Sequence, residues 1–378
     1  MEDFIPVNRP SLLGKEKDYI SECLETGWIS SEGPFVERFE NEFAHKVGRR
    51  FGVAVCNGSA ALDLAVSALD IRPGDEVIMP SFTIISCAAA VARAGAKPVL
   101  VDSRPDSWNM DVDDLERYVS PRTKAIMPVH IYGLPVDMGP VLKFAEAHSL
   151  RIIEDAAEAH GQSWREQPCG SFGDLSTFSF YPNKHITTGE GGMVVTDVPE
   201  LAERLRAMRN LCFQPGRRFV HEELGWNHRM TNLQAALGVA QLERLDAHMA
   251  RKREIGARYS ELLRAVPGLQ LPLETDGNAA NVYWVYGLVL SDAVPFDAAE
   301  MMARLAKRGI GTRPFFWPMH EQPVFQKRGW YAGEHHPVAE RLARRGFYLP
   351  SGLGTTDAEI NRAAAAVRAI LADATTAQ

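Results

Sequence analysis

A single lysine stands among aromatic residues in FSFYPNKHITTGEGG, residues 178–192: Lys184, followed by a histidine, two threonines and a glycine-bounded bend. An amine at the edge of such a turn can be desolvated, which lowers its pKa and frees a neutral nitrogen for Schiff-base chemistry. A solvated surface charge is the ordinary alternative. Two other segments bear on the choice. RIIEDAAEAHG (151–161) ends a strand-like run in two acids. Asp155 reads either as a buried carboxylate aimed at a cationic ring nitrogen or as a helix N-cap, whereas strand alternation turns Glu154 to the opposite face. CNGSAAL (56–62) reads as a strand end, a glycine bend and a helix start. There the backbone N–H groups of Gly58, Ser59 and Ala60, with the helix dipole behind them, suit a phosphate, or Asn-Gly-Ser simply caps the helix. An anion cradle, an acid and an amine, each after a strand of one sheet, are what pyridoxal phosphate requires: an anchored phosphate, a protonated pyridine nitrogen and an imine-forming lysine.

The segments that must position these residues alternate in type from about residue 50 to 210. GVAV (52–55), EVIMP (76–80), PVLVD (98–102), AIMPVHIYG and RIIED read as strands, separated by helical stripes such as Leu62, Ala65, Val66 and Leu69. The order implies an α/β fold, a mostly parallel central sheet with helices on both faces and ligands beyond its carboxyl ends. From Thr231 to Val266 the chain lacks proline and reads as one long connector helix. A strand (NVYWVYGLVL), a helix (DAAEMMARLAKRG), a Pro/aromatic stretch and an alanine-rich helix then suggest a smaller α+β domain. The expected division is 1–250 for the large domain, with N-terminal arm and connector, and 251–378 for the small one.

Composition narrows the function classes. The 378 residues carry a net charge of −7, which offers no basic field for nucleic acid or an anionic membrane. The five cysteines are scattered without CxxC spacing, against a disulfide framework or a zinc site and for a reducing compartment, so no metal is expected. The N-terminus lacks the regions of a signal peptide and no apolar run reaches the length of a spanning helix, so a cytoplasmic location is expected.

EDAAEAHG followed by FSFYPNKHITTGEGG, with CNGSAAL upstream and GWNHRMTNLQAALG downstream, resembles the sugar-nucleotide aminotransferases of the DegT/DnrJ/EryC1/StrS family, which are fold-type I pyridoxal phosphate enzymes of the aspartate aminotransferase-like class. The similarity runs from GWISSEGPFVERFE to YLPSGLG. It implies that Lys184 bonds the cofactor and carries protons and that Asp155 partners the pyridine nitrogen. Glu158 would stand at the 3-hydroxyl side, and Gly58, Ser59 and Ser179 at the phosphate. Asn227 matches an asparagine that reaches the phosphate of a neighbouring subunit, which implies a homodimer with shared active sites. Three positions depart from the family pattern: Glu158 stands where many relatives have Gln, and Leu134 replaces a Gln after HIYG. Ile84 replaces an aromatic that stacks on the ring, which leaves that contact to Ile84 or Phe82.

Within the family the resemblance runs to the GDP-perosamine synthases, through GWISSEGPF, RRFVHEELGWNHRMTN and RPFFWPMHEQP. It implies glutamate and a nucleotide-linked 4-keto sugar, GDP-4-keto-6-deoxymannose, as substrates. Trp28, His185, Arg313, Phe315 and His320 are candidates for substrate contact: Arg313 for a diphosphate, Phe315 and Trp317 for an apolar wall, His320 for the hexose. The Pro/aromatic stretch reads equally as a packing corner. Two other functions stay open. Sugar 3-dehydratases of the family carry histidine in place of the lysine, and His185 follows Lys184 here. A cofactor-binding regulator without turnover is the third reading.

Overall fold

The computed structural model describes residues 4–213, 216–217 and 219–376; Arg218, inside RRFVHEELGWNHRMTN, lies outside them. The large sheet has seven strands: β1 (Phe51–Val55), β2 (Glu76–Pro80), β3 (Lys97–Val101), β4 (Thr123–Ile126), β5 (Arg151–Asp155), β6 (Leu175–Ser179) and β7 (Gly192–Thr196). Their order is β1-β7-β6-β5-β4-β2-β3, and only β7 runs antiparallel to its neighbours. Runs such as EVIMP are buried along their whole length, because helices cover both faces of such a sheet.

β1, β6 and β5 deliver the three chemical segments to one edge. β5 ends in Asp155 and β6 in Ser179, while β1 runs through Asn57 into the helix Gly58–Ala68. Two glycines permit the close approach. A Cβ on Gly192 would stand 2.5 Å from the Asn57 carbonyl, and one on Gly58 would stand 2.7 Å from Ser179 Cβ. Alternation along β5 turns Glu154 away from this edge. Its carboxylate accepts from His130 Nε2 (2.9 Å), the N–H groups of Gly170 (2.6 Å) and Phe172 (3.0 Å), and Ser176 Oγ (2.7 Å), all buried.

A second, antiparallel sheet orders Leu269–Gln270, Tyr286–Leu290, Gly346–Leu349 and Arg313–Pro314 side by side, with helices Ala298–Ala306, Pro337–Arg345 and Asp357–Thr376 around it. Of NVYWVYGLVL only Tyr286–Leu290 is strand; Tyr283 has φ +52°, and Val282 N–H turns to the Gly133 carbonyl (3.1 Å).

The long connector predicted from Thr231 is two helices, Asn232–Leu242 and Leu245–Leu263. The first lies against helices Glu16–Thr26 and Pro34–Lys46, packed so closely that a Cβ on Gly238 would stand 2.8 Å from the Phe39 ring. The second packs on Asp357–Thr376, a direction that one straight axis cannot also serve. Leu245 and Met249 join the core of the first sheet, and Ile255, Tyr259 and Leu263 that of the second. Residue 250 therefore falls inside a helix that serves both cores. The N-terminal arm, assigned to the large domain from sequence, enters the other core: Ile5 bridges Ile310 and is buried there.

Replacing Glu154 by Ala would strand four buried donors. The expected loss is about 3 kcal/mol or more of stability, seen as a lower melting temperature; an unchanged midpoint would show that this network contributes nothing.

Candidate active site

A cavity of about 510 Å³ opens beyond the carboxyl ends of β1, β5 and β6 and is closed from the second sheet by Trp284, Phe316 and Tyr348. Gly58 and Ser59 form one end. Asn57 Oδ1 accepts the N–H of Ala60 (2.8 Å), so Ala60 is held within the cap. The N–H groups of Gly58 and Ser59 have no protein partner among the described residues. The hydroxyls of Ser59 and Ser86 are 2.8 Å apart, and Ser179 faces Gly58. Two free N–H groups, a helix N-terminus and three hydroxyls make this end suited to an anion.

Asp155 occupies the middle. Its Oδ2 accepts from the Cys87 thiol (3.1 Å) and Oδ1 from the Ala157 N–H (3.0 Å), so the buried carboxylate is fixed yet keeps lone pairs for a cationic donor. Burial, reinforced by Asp155, holds the Cys87 thiol protonated well above its usual pKa. Ile84 lines the cavity and is 41% exposed. Phe82 does not line it: its ring is fully buried against Tyr132, Phe315 and Phe316.

Lys184 closes the arrangement. Its turn is pinned by its own N–H to the Tyr181 carbonyl (2.9 Å), Asn8 Nδ2 to the Pro182 carbonyl (3.0 Å) and Trp284 Nε1 to the Asn183 carbonyl (2.8 Å). Phe178 and Phe180 anchor it from behind, against Phe43. Lys184 Nζ lies 3.7 Å from Glu158 Oε1 and 3.9 Å from the Trp284 ring centroid. Burial pulls the Lys184 pKa down against the pull of Glu158 and Asp155. Burial likewise pushes Glu158 up to about 7, opposed by Lys184 and the Tyr132 N–H (2.9 Å). Burial thus shifts the two groups in opposite senses and brings the proton affinities of amine and carboxyl closer together.

Other sequence candidates fall elsewhere. His185 is buried outside the cavity, its Nδ1 3.4 Å from that of His160 and its carbonyl accepting from His248 Nδ1 (2.9 Å), because the turn that directs Lys184 inward sends the next side chain back into the core. Burial, with His160 and Lys252 nearby, holds its pKa well below the usual value. Phe315 is core, 4.8 Å from Tyr132 and 5.2 Å from Trp108 between centroids; the following residue, Phe316, faces the cavity instead. His320 is a buried clamp between Ser81 Oγ (2.9 Å) and Glu340 Oε1 (3.0 Å), away from the cavity. Arg313 is exposed and pairs in register with Tyr348, which lines the cavity. Trp28 is exposed, its carbonyl accepting from Asn232 Nδ2 (2.8 Å). Asn227 is exposed off the cavity, with Oδ1 accepting from Arg229 (3.0 Å). Sequence reasoning missed Trp284, Tyr348 and Ser86. Trp284 sits in a segment read as plain strand, and no motif marked it; the FF pair at 315–316 did carry a signal, since alternation sends only one ring inward.

The arrangement can hold an anion, orient a cationic ring and present a neutral amine to a carbonyl. Comparisons with known proteins agree with that chemistry. The model of the DegT/DnrJ/EryC1/StrS aminotransferase family matches residues 10–368. A curated relative from Caulobacter vibrioides, named GDP-perosamine synthase, is 43% identical over 97% of this chain and 98% of its own. A relative of the same name from Escherichia coli O157:H7 is 42% identical over 92% of this chain and 93% of its own. Among solved structures, the S. venezuelae protein DesV superposes with a TM-score of 0.89 at 35% identity, covering 98% of this chain and 99% of that one.

Competitive acylation of the cofactor-free protein between about pH 7 and about pH 10 should show Lys184 reaching half-maximal reactivity at lower pH than exposed lysines such as Lys124. Titration of Lys184 with the surface set would contradict the desolvated environment.

Proposed function

The chain belongs to the DegT/DnrJ/EryC1/StrS aminotransferase family, and on that premise we propose that it moves the amino group of glutamate to C4 of GDP-4-keto-6-deoxymannose, yielding GDP-perosamine and 2-oxoglutarate. The reaction class is pyridoxal phosphate-dependent transamination of a nucleotide sugar, and the family implies the cofactor. The sugar and nucleotide follow the names of the two relatives. The observation that carries the reading is the enclosed Lys184 amine sharing one cavity with Asp155 and a free helix N-terminus.

The cavity's donor set fits pyridoxal phosphate. Gly58, Ser59, Ser86 and Ser179 would hold the phosphate, Asp155 the ring nitrogen and Glu158 the phenolic side. When bound, the cofactor supplies an aldehyde that takes up amino groups and a cationic ring that draws electrons from the carbon losing its proton. Asp155, fixed by Cys87 and Ala157, would keep that ring nitrogen protonated. Lys184 Nζ, its pKa lowered by desolvation, would carry the proton from glutamate Cα to the cofactor's C4′ in the first half and from C4′ to sugar C4 in the second. Glu158, beside it, would steady the amine while it carries that proton. Trp284, Phe316 and Tyr348 keep water from the amine. We further assign the active unit as a homodimer in which Asn227 serves the partner's phosphate site; its exposure away from its own cavity supports this.

The dehydratase reading loses support from the same geometry: Lys184 points into the cavity and His185 does not. Lys184→His should lower amino transfer by roughly 10³-fold or more; parental amination by that variant would defeat the assignment. With glutamate as donor, a panel of GDP-, dTDP- and UDP-linked keto sugars should yield a 4-amino product, identified by mass and NMR, from the GDP sugar. Amination of a thymidine- or uridine-linked sugar alone would reject the substrate and leave the reaction class standing. A regulator without turnover would bind the cofactor yet show no spectral change on adding glutamate.

A further inference from the structure

Lys252 lies on helix Leu245–Leu263 at the seam between the two cores, with only 3% of its surface exposed. No carboxylate pairs with it among the described residues; its Nζ donates to the carbonyls of Trp284 (2.8 Å) and Ser351 (2.5 Å). The amine satisfies two buried carbonyls, but a buried ammonium without a carboxylate is a costly way to do so. Burial draws its pKa to about 7, but the neutral amine still has two N–H groups for two carbonyls, so the latch persists in either form.

What the latch holds is specific. Trp284 is secured at both ends: its main chain by Lys252 and its indole N–H by the carbonyl of Asn183, the residue before Lys184. The ring between these ties is the surface against which Lys184 Nζ rests, at 3.9 Å from its centroid. Ser351 follows the strand Gly346–Leu349, whose Tyr348 lines the same cavity, and its N–H is bonded to the Val7 carbonyl (3.2 Å) on the N-terminal arm. One amine thus joins the helix that spans both cores to two of the three segments by which the second sheet walls the site.

We infer that Lys252 is a positioning residue for the reaction: by fixing the Trp284 main chain it sets the indole against Lys184, and so sets where the reacting amine can reach. The inference rests on Lys184 being the amine that bonds the cofactor, and that premise has its own control. In the holoenzyme the visible band of the bound cofactor should titrate with pH and be lost in Lys184→Ala.

Lys252→Met removes the donors and keeps the length. Expected for this variant are a melting temperature lowered by the two carbonyls left without a donor, a band whose titration midpoint moves by about half a pH unit or more, and a kcat for the glutamate half-reaction lower by roughly tenfold or more with a smaller change in KM. Trp284→Phe, which keeps a ring but loses the indole tie, should move the same midpoint. The double variant should then be no worse than Trp284→Phe alone, because one residue acts through the other. Lys252→Arg, which retains donors, should return the midpoint toward the parental value. An unmoved midpoint and kcat in Lys252→Met, or losses that multiply in the double variant, would overturn the inference. Should Lys252→Met fail to fold, the Arg variant and Trp284→Phe decide it: a parental midpoint in Trp284→Phe rejects it.

Discussion

Everything in the cavity turns on keeping water from one amine. Enclosed on the Trp284 ring and beside Glu158, Lys184 loses the solvation that would hold it as an ammonium, and Glu158 loses the solvation that would hold it as a carboxylate. Neither sheet achieves this alone. The first sheet supplies the turn that carries Lys184, and the second supplies much of the apolar cover, so the chemistry belongs to the contact between the sheets. That is why side chains with no part in bond making, such as Phe178 and Phe180 behind the turn, govern what the amine can do.

The opposite end of the cavity follows a different constraint, that of space. Bringing the start of helix Gly58–Ala68 against the end of β6 leaves no room for a Cβ at Gly58 or Gly192. The same closeness lets Ser59, Ser86 and Ser179 surround the free N–H groups. Between the two ends, Asp155 is set by strand alternation, with Glu154 turned to the far side to tie down the 170–172 segment. The distances between amine, acid and anion site are thus fixed by the sheet itself, which is the stiffest part of the fold.

Much of this was readable from the chain, and the limits have physical causes. The α/β order, the strand ends and the convergence of Lys184, Asp155 and the Gly58–Ser59 bend follow from local pattern, since each lies just beyond a short apolar run. His185, Phe315 and His320 went astray because lying near a motif does not say which way a side chain faces. His185 faces the core and is buried beside His160, Phe315 is packed by Trp108 and Tyr132, and His320 is spent on Ser81 and Glu340. Trp284 and Tyr348 reach the site only through packing between segments far apart in the chain, which no local pattern encodes. The break at Glu243–Arg244 is also tertiary: the sequence there is good helix, but the two halves answer to different partners.

The arm at the start of the chain bears on how the molecule is made. Ile5 leaves the ribosome long before Ile360, Val367 and Leu371, which complete the core it enters. The second core therefore cannot close until Leu371 has been made, and Ile5 must wait, unpaired, while the large sheet assembles beside it. A change that holds Ile5 elsewhere would therefore be felt first at Ile360, Val367 and Leu371, far from it in the chain.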